Sequence, residues 1–522
     1  QTRETMEGGA QEEEVQHEFD ALNTLLLVVI LGLCTLTSYL IKRYRVYYLP
    51  ESAASMIVGL CVGVVARFVE SSKAELDFLA FQPELFFFLL LPPIIFEAGY
   101  RLRRKHFFRN FGTIVAYAVL GTLISTFIVG YLTYGIGKLG WISIDKDNPI
   151  EPLLFGALIS AVDPVATLSI MGSAELNCDP LLYSLVFGES VLNDAVAIVL
   201  FRVFFQYYDE NKAIQQQQIA AVVVEFIIVS CGSVVVGVAI GLLCSFLFKN
   251  TQIQRYPSYE VGLLFLFAYG SYAFAESIRL SGIMSLFFCG IVLAHYNSYN
   301  LSDTSQIGAE VIFQSLAHVS ETFVFLYMGM GIFTGRFTGW SPLFIIMAIV
   351  FCLVARIFNV FPISFASNLV RSQRIPLRMQ VVIWFSGLRG AIAFALSQNM
   401  PGPHKQTYET TTLGVVFFTT LVCGGLTETV LKRTGMRREA AYTSIVSDGE
   451  DEMDHHSWEH MKLLDESLPG GSSPRAGGLS GMTVSTQRLW RAFDNRIMKP
   501  VFGGRHGEDE DRLDVSGGGA GG

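Results

Sequence analysis

Three oxygen-bearing side chains share one face of an apolar segment near the middle of the chain. Ser190, Asn193 and Asp194 stand at positions i, i+3 and i+4, which lie together on a helix. A hydroxyl, an amide oxygen and a carboxylate are hard oxygen ligands of the kind that suit an alkali cation. Because one carboxylate can bind either a proton or a cation, Asp194 with Ser190 is the predicted Na⁺ or K⁺ site. A structural hydrogen bond between helices is the alternative role for a buried aspartate.

A second carboxylate precedes a proline in the preceding apolar segment, residues 152–171. Asp163 is followed by Pro164, which lacks a backbone donor and crowds the turn before it. We therefore expect the helix to break at this point. A break frees carbonyls, such as that of Val162, to coordinate a cation. Asp163 either belongs to that ion site or serves as a structural hydrogen-bond partner.

A buried arginine marks a second interrupted segment, residues 377–398. Arg389 stands between Gly387 and Gly390 in an otherwise apolar run. Interrupted segments at matching positions in two halves of a chain indicate the midplane site of a transporter. If the two segments cross, Arg389 supplies fixed positive charge at the crossing. A continuous Gly-rich packing helix is the alternative.

The remaining intramembrane charges also need an explanation, because an ionisable group at the centre of a membrane helix costs at least ~2.5 kcal/mol. Glu189 points roughly 100° away from the adjacent Ser190 on a helical wheel, which favours an ion-pair role over a ligand role. Glu321 and Arg356 could pair with each other. Glu97 follows two prolines that distort its helix, and is predicted to lie in a pore or inhibitor-binding region.

Membrane helices must position these side chains. Long apolar runs inside hydrocarbon form helices, since every backbone polar group must be bonded internally, and about 20 residues span a bilayer. The pattern predicts an all-α membrane protein with about thirteen transmembrane helices, in two inverted six-helix repeats whose broken helices cross. The predicted spans are 21–41, 51–69, 84–99, 112–137, 152–171, 181–206, 218–248, 258–277, 281–296, 309–332, 340–370, 377–398 and 409–431.

Basic residues give the orientation of this transmembrane domain, residues 21–435. They follow odd-numbered spans, so the positive-inside rule places those loops in the cytosol and the N-terminal segment 1–20 outside or in a lumen. Residues 436–522 form a cytosolic tail, predicted to be mostly disordered with a possible short helix near 484–500. The basic residues are Lys42, Arg43, Arg45, Arg101, Arg103, Arg104, Lys105, Lys249, Arg255, Arg371, Arg374, Arg378, Lys432, Arg433, Arg437 and Arg438.

The amino-acid composition limits the classes of molecule that the chain is expected to bind. Of the 522 residues 51% are hydrophobic and only 16% are charged, whereas a soluble protein carries about 25% charged residues. No basic face indicates nucleic acid. The eight cysteines contain no CxxC pair, so neither a disulfide framework nor a zinc site is predicted. The expected partners are Na⁺, K⁺, H⁺ and membrane lipid, with no cofactor.

At these residues the chain resembles the eukaryotic sodium/proton exchangers of the monovalent cation/proton antiporter superfamily. The similarity covers roughly residues 40–435. Other short stretches look closest to the endosomal and Golgi branch, namely 47–51, 321–325 and 493–500. The stretches that carry the family resemblance are 91–97, 160–164, 187–194 and 385–391.

The resemblance implies a thirteen-helix fold, a homodimer and an elevator-like movement of a core domain. It implies electroneutral exchange, because the pair is Asn193-Asp194 and not two aspartates. Val162 stands where relatives often carry threonine, so the carbonyl remains and the hydroxyl is lost. Glu189 and Arg389 match the ion pair of the family's core. The implied ion carrier is Asp194, surrounded by Ser190, Asn193, Asp163 and the Val162 carbonyl.

The predicted function is a secondary antiporter, not an enzyme, that exchanges Na⁺ or K⁺ for H⁺ and so regulates pH and cation content. The expected location is an endosomal or Golgi membrane, with the plasma membrane as the other possibility. A cation channel that uses the same oxygen site is the main alternative. An intramembrane hydrolase is disfavoured, since neither Gly-x-Ser-x-Gly nor His-Glu-x-x-His occurs. Regulators of the tail are not identified by the sequence.

Overall fold

The computed structural model of the chain describes residues 24–44, 46, 48–69, 86–102, 104–144, 148–163, 171, 178–208, 216–332, 339–371, 373–436 and 493–503. Among these residues every secondary-structure element longer than one residue is a helix, as predicted. In chain order the helices are α1 Thr24–Tyr44, α2 Glu51–Val69, α3 Phe86–Tyr100, α4 (Arg104–Val115, Ala116–Leu120 and Gly121–Lys138), α5 Ile150–Ser160, α6 Pro180–Gln206, α7 Gln216–Asn250, α8 Pro257–Ser277, α9 Gly282–Tyr296, α10 Asp303–Gly331, α11 Pro342–Val370, α12 Leu377–Phe385, α13 Ala391–Gln398, α14 Lys405–Thr434 and α15 (Asp494–Met498 and Lys499–Phe502).

These helices coincide with the predicted spans. Within the described ranges, seven helices are long and apolar enough to cross a membrane, and three shorter apolar helices accompany them. Each of the thirteen predicted spans contains a helix. The fifth span differs in its length, because α5 ends at Ser160 and residues 164–170 lie outside the description. The chain is therefore a multi-pass membrane protein.

The helices pack in two groups. One group comprises α4, α5, α6, α11, α12, α13 and α14, and the other comprises α2, α3 and α7 to α10. In the second group α2 lies directly against α10. A Cβ atom added to Gly59 of α2 would lie 2.1 Å from the carbonyl oxygen of Leu326 on α10, so only glycine allows this approach. We call the first group the core group and the second the scaffold group.

The end of α5 and the interruption between α12 and α13 meet inside the core group, at a place that we call the crossing. After Ser160 the chain leaves the helix, and α12 and α13 are separated by the non-helical residues 386–390. The backbone N–H of Asp163 donates a hydrogen bond of 3.0 Å to the carbonyl of Leu388. The predicted breaks near Asp163 and Arg389 therefore lie next to each other in the fold.

Besides the π-helical residues Asp494–Met498 of α15, three described membrane helices contain a π-helical turn that the sequence pattern did not predict. These turns span Phe86–Leu90 in α3, Ala116–Leu120 in α4 and Thr419–Cys423 in α14. Such turns often occur at functional sites, because the extra residue changes which side chains face a neighbouring helix. The turn in α14 lies beside the interruption at residues 386–390, and the turn in α4 lies beside α6.

The short helix α15 of the tail packs on the scaffold group. The hydroxyl of Tyr296 donates to Oδ1 of Asp494 at 2.7 Å, and His295 Nε2 lies 3.5 Å from Oδ2 of the same carboxylate. Asn300 Nδ2 donates to the carbonyl of Phe502 at 2.8 Å. This helix overlaps the predicted tail helix, whose residues 484–492 lie outside the description.

Candidate ion-binding site

Helix α6 holds the central polar residues. It begins with Asp179, whose side chain accepts a hydrogen bond of 2.8 Å from the N–H of Leu181, a normal N-cap. About halfway along this helix Ser190, Asn193 and Asp194 are 2%, 1% and 6% exposed. Their helical spacing is as predicted, and all three are buried in the core group.

Asn193 bridges two elements. Its Oδ1 accepts a hydrogen bond of 2.9 Å from the N–H of Val162, in the interruption after α5. Its Nδ2 donates a hydrogen bond of 2.7 Å to Oγ1 of Thr122, which lies on α4 just after the π-helical turn. Sequence reasoning did not single out Thr122. The amide of Asn193 therefore fixes the backbone next to Asp163.

The carboxylate of Asp194 lies between charges of both signs. It interacts electrostatically with Asp163 and with Arg389. None of the described residues donates a hydrogen bond to it. A buried carboxylate in such a place is costly unless it binds a proton or a cation, since no basic side chain among the described residues forms a direct ion pair with it. Asp194 is thus suited to exchange one of these ligands for the other.

At the crossing, Arg389 and Asp163 each lie near a helix end of opposite partial charge. Arg389 Nη1 donates a hydrogen bond of 3.3 Å to the carbonyl of Ala161, which follows the C-terminal end of α5. The carboxylate of Asp163 packs against Gly390, which directly precedes α13. Helix C-termini carry partial negative charge and N-termini partial positive charge. This arrangement stabilises the two helix ends in the membrane interior.

Gly390 leaves no room for a side chain, and this gives a first prediction. An added Cβ would lie 1.7 Å from Oδ2 of Asp163. Gly390→Ala should displace that carboxylate and raise the Na⁺ concentration for half-maximal exchange by roughly tenfold or more, as expected for an active-site shift worth about 1.4 kcal/mol. Flux assays in vesicles measure this change. Gly135→Ala, where nothing lies within 4 Å of an added Cβ, is the control. Equal kinetics of the two variants would contradict the packing argument.

The buried ion pair differs from the predicted pairs. Glu189 pairs with Arg356 on α11, with side chains 2% and 3% exposed. Arg356 Nη2 also donates a hydrogen bond of 2.7 Å to the carbonyl of Ile383 in the last turn of α12. The predicted pairings Glu189–Arg389 and Glu321–Arg356 are therefore wrong for this structure. The reason is geometric, because α11 brings Arg356 to α6 while Arg389 turns towards the end of α5.

Glu321 and Glu97 line a polar cavity instead. This cavity has a volume of about 240 Å³ and lies among α1, α2, α3 and α10. Glu321 also interacts electrostatically with Asp163. Glu97 accepts a hydrogen bond of 2.9 Å from Arg101. The charged residues around the cavity are Lys42, Glu51, Glu97, Arg101, His318 and Glu321.

The π-helical turn of α14 supports the second interruption. The backbone N–H of Arg389 donates to Oγ1 of Thr419 at 3.1 Å, and Thr420 Oγ1 donates to the carbonyl of Arg389 at 3.4 Å. These hydroxyls satisfy backbone groups that the broken helix leaves open. Neither threonine was predicted, since nothing in the sequence separates them from other helical threonines.

Known proteins share this sequence pattern and architecture. The sequence model of the family described as "Sodium/hydrogen exchanger, transmembrane" matches residues 28–433. Human sodium/hydrogen exchanger 8 is 39% identical over 430 residues, which cover 81% of this chain and 73% of the relative. Human sodium/hydrogen exchanger 9 is 35% identical over 546 residues, covering 94% and 82%. Sodium/hydrogen exchanger 5 of Arabidopsis thaliana is 38% identical over 449 residues, covering 84% and 85%.

A solved structure has the same fold. The sodium proton antiporter MjNhaP1 from Methanocaldococcus jannaschii superposes with a TM-score of 0.57 at 17% sequence identity. The match covers 78% of this chain and 96% of that structure. The helical architecture is therefore the sodium/proton antiporter fold. With the family match over most of its length, the chain belongs to the sodium/hydrogen exchanger family.

Proposed function

We propose that the chain is an electroneutral secondary antiporter that exchanges Na⁺, or K⁺, for H⁺ at Asp194. The observation that carries this proposal is the buried carboxylate of Asp194, which stands at the crossing and receives no hydrogen bond from the described residues. Ser190 lies one helical turn before it on the same face. Membership of the sodium/hydrogen exchanger family supports Na⁺ and H⁺ as the transported ions.

The charge count supports electroneutral exchange. Deprotonated Asp194 binds one monovalent cation, with oxygens from Ser190, Asp163 and the Val162 carbonyl as further ligands. A proton that binds to Asp194 removes its negative charge and displaces the cation. Either loaded state carries one positive charge across the membrane, so a full cycle of one cation against one proton moves no net charge. The neighbouring Asn193 is neutral and adds no further charge.

The two packing groups support an elevator-type movement. Asp194, Ser190 and both interruptions belong to the core group, while α2, α3 and α7 to α10 form the scaffold group. A rigid core group that slides along the scaffold group would carry the occupied site from one side to the other. In this proposal two copies of the chain pair through their scaffold groups, and the protein works in an endosomal or Golgi membrane, regulating luminal pH and cation content.

The test is cation-driven proton flux in proteoliposomes, recorded with an internal pH dye and, in parallel, as current on a solid-supported membrane. We expect saturable Na⁺-dependent and K⁺-dependent flux with no net current. The flux should keep the same rate when a membrane potential is imposed during the Na⁺ experiment. A current that changes with the imposed membrane potential would contradict the antiporter proposal and indicate a cation channel. Liposomes without protein supply the background leak.

A further inference from the structure

A chain of hydrogen bonds leads from α4 to the interruption of α5. Thr122 donates its hydroxyl hydrogen to the carbonyl of Ala118, one turn earlier on the same helix. Its oxygen accepts from Nδ2 of Asn193 at 2.7 Å, and Oδ1 of Asn193 accepts from the N–H of Val162 at 2.9 Å. Thr122, Asn193 and Val162 are 0%, 1% and 2% exposed, so solvent does not supply substitute partners.

The donors and acceptors in this chain fix the orientation of the Asn193 amide. The N–H of Val162 can only donate, so the oxygen of the amide must face it. The NH₂ group then faces Thr122, whose hydroxyl hydrogen already points to Ala118 and whose oxygen is free to accept. The reverse orientation would oppose two donors at Val162. The amide therefore has one arrangement that satisfies every group.

We propose that Thr122 is a positioning residue for the ion site, which acts through Asn193 on the backbone of Val162. This inference rests on the proposed function at Asp194. Thr122 holds the amide, the amide holds the N–H of Val162, and the Val162 peptide thereby stays beside Asp163 and Asp194. Asn193 is then a clamp, with both ends of its amide engaged, and the cation ligands are the remaining oxygens of the site.

The local structure of α4 explains why Thr122 can hold the amide of Asn193 in a fixed position. Thr122 follows the π-helical turn Ala116–Leu120, which alters the helical phase of the residues after it. Next to it, Gly121 packs against Asn359 of α11, where an added Cβ would lie 2.3 Å from Oδ1 of that amide. Helix α4 is thus held closely against α11 at this level, which makes Thr122 a rigid support.

Hydrogen exchange tests the positioning directly and does not depend on transport. Thr122→Val keeps the shape of the side chain and removes the acceptor, so the amide of Asn193 loses a buried partner. We expect the backbone amide of Val162 to exchange roughly tenfold faster in the purified full-length variant, as measured by mass spectrometry of a peptide that covers 158–163. Thr122→Ser, which keeps the hydroxyl, should retain the protection.

Matched controls separate positioning from a loss of folding. Thr133→Val alters another fully buried threonine of α4, whose Oγ1 has no hydrogen-bond partner among the described residues. It should leave the protection of Val162 unchanged. Thr122→Ala removes the same acceptor with less bulk and is measured in parallel. Unchanged protection in both the Val and Ala variants would overturn the proposal.

Cation affinity supplies the second readout. The Na⁺ concentration for half-maximal thermal stabilisation should rise roughly tenfold in Thr122→Val and return to the wild-type value in Thr122→Ser. Faster exchange at Val162 with unchanged Na⁺ affinity would reduce Thr122 to a purely structural residue and overturn its role at the site. A wild-type protein that binds Na⁺ but shows no Na⁺-driven proton flux would instead contradict the proposed function. The positioning role of Thr122 would remain supported by the hydrogen-exchange result.

Discussion

The Asp194→Asn variant is expected to fold and to insert into the membrane, yet to show no cation-driven proton flux. The amide has nearly the same shape as the carboxylate, but it neither takes up a proton nor balances the charge of a cation. Removing one partner of a buried charge pair costs about 3–5 kcal/mol. If the bound cation loses its carboxylate partner in this way, the affinity of the site for the cation falls by more than ~100-fold.

The measurement is proton flux driven by Na⁺ and by K⁺ in proteoliposomes that contain equal amounts of folded protein. Asp303→Asn is a suitable control, because this aspartate lies exposed in the first turn of α10, away from the crossing. The control should exchange ions at the wild-type rate. Coupled exchange by Asp194→Asn would refute Asp194 as the carrier and move the site to another carboxylate, with Asp163 as the next to test.

The overall fold was predictable because the membrane limits the choices. Apolar runs of bilayer length must be helices, and a proline or a Gly-Arg-Gly sequence inside such a run indicates a break. The interruptions beside Asp163 and Arg389 followed from these rules, and the backbone hydrogen bond from Asp163 to Leu388 joins them in the structure. The helical face that unites Ser190, Asn193 and Asp194 followed in the same way from spacing alone.

The partners across helices were not predictable from spacing. The family resemblance implied a pair of Glu189 with Arg389, yet Arg356 forms that pair, because the choice depends on where the helices around α6 place each guanidinium. The role of Thr122 was hidden for a similar reason, since other threonines on α4 are buried to the same degree. A π-helical turn adds one residue to a regular helix, and no residue type in Ala116–Leu120 indicates such a turn.

The second large effect is expected at Arg356. Arg356→Met leaves the carboxylate of Glu189 buried without its partner and removes the hydrogen bond to Ile383 at the end of α12. Breaking a buried ion pair in this way destabilises a protein by about 3–5 kcal/mol. We expect a much lower melting temperature in detergent and reduced amounts of folded protein, measured by fluorescence-detected size exclusion.

A double-mutant cycle identifies the partner of Glu189. Glu189→Gln combined with Arg356→Met removes both charges, so the double variant should be more stable than Arg356→Met alone, with a coupling energy of about 1–3 kcal/mol. Glu189→Gln combined with Arg389→Met should show a smaller coupling energy, because the guanidinium of Arg389 donates to Ala161 and interacts with Glu189 only electrostatically, without a direct ion pair. Stronger coupling of Glu189 to Arg389 than to Arg356 would contradict the pair seen here. It would also require the guanidinium of Arg389 to turn from the carbonyl of Ala161 towards α6.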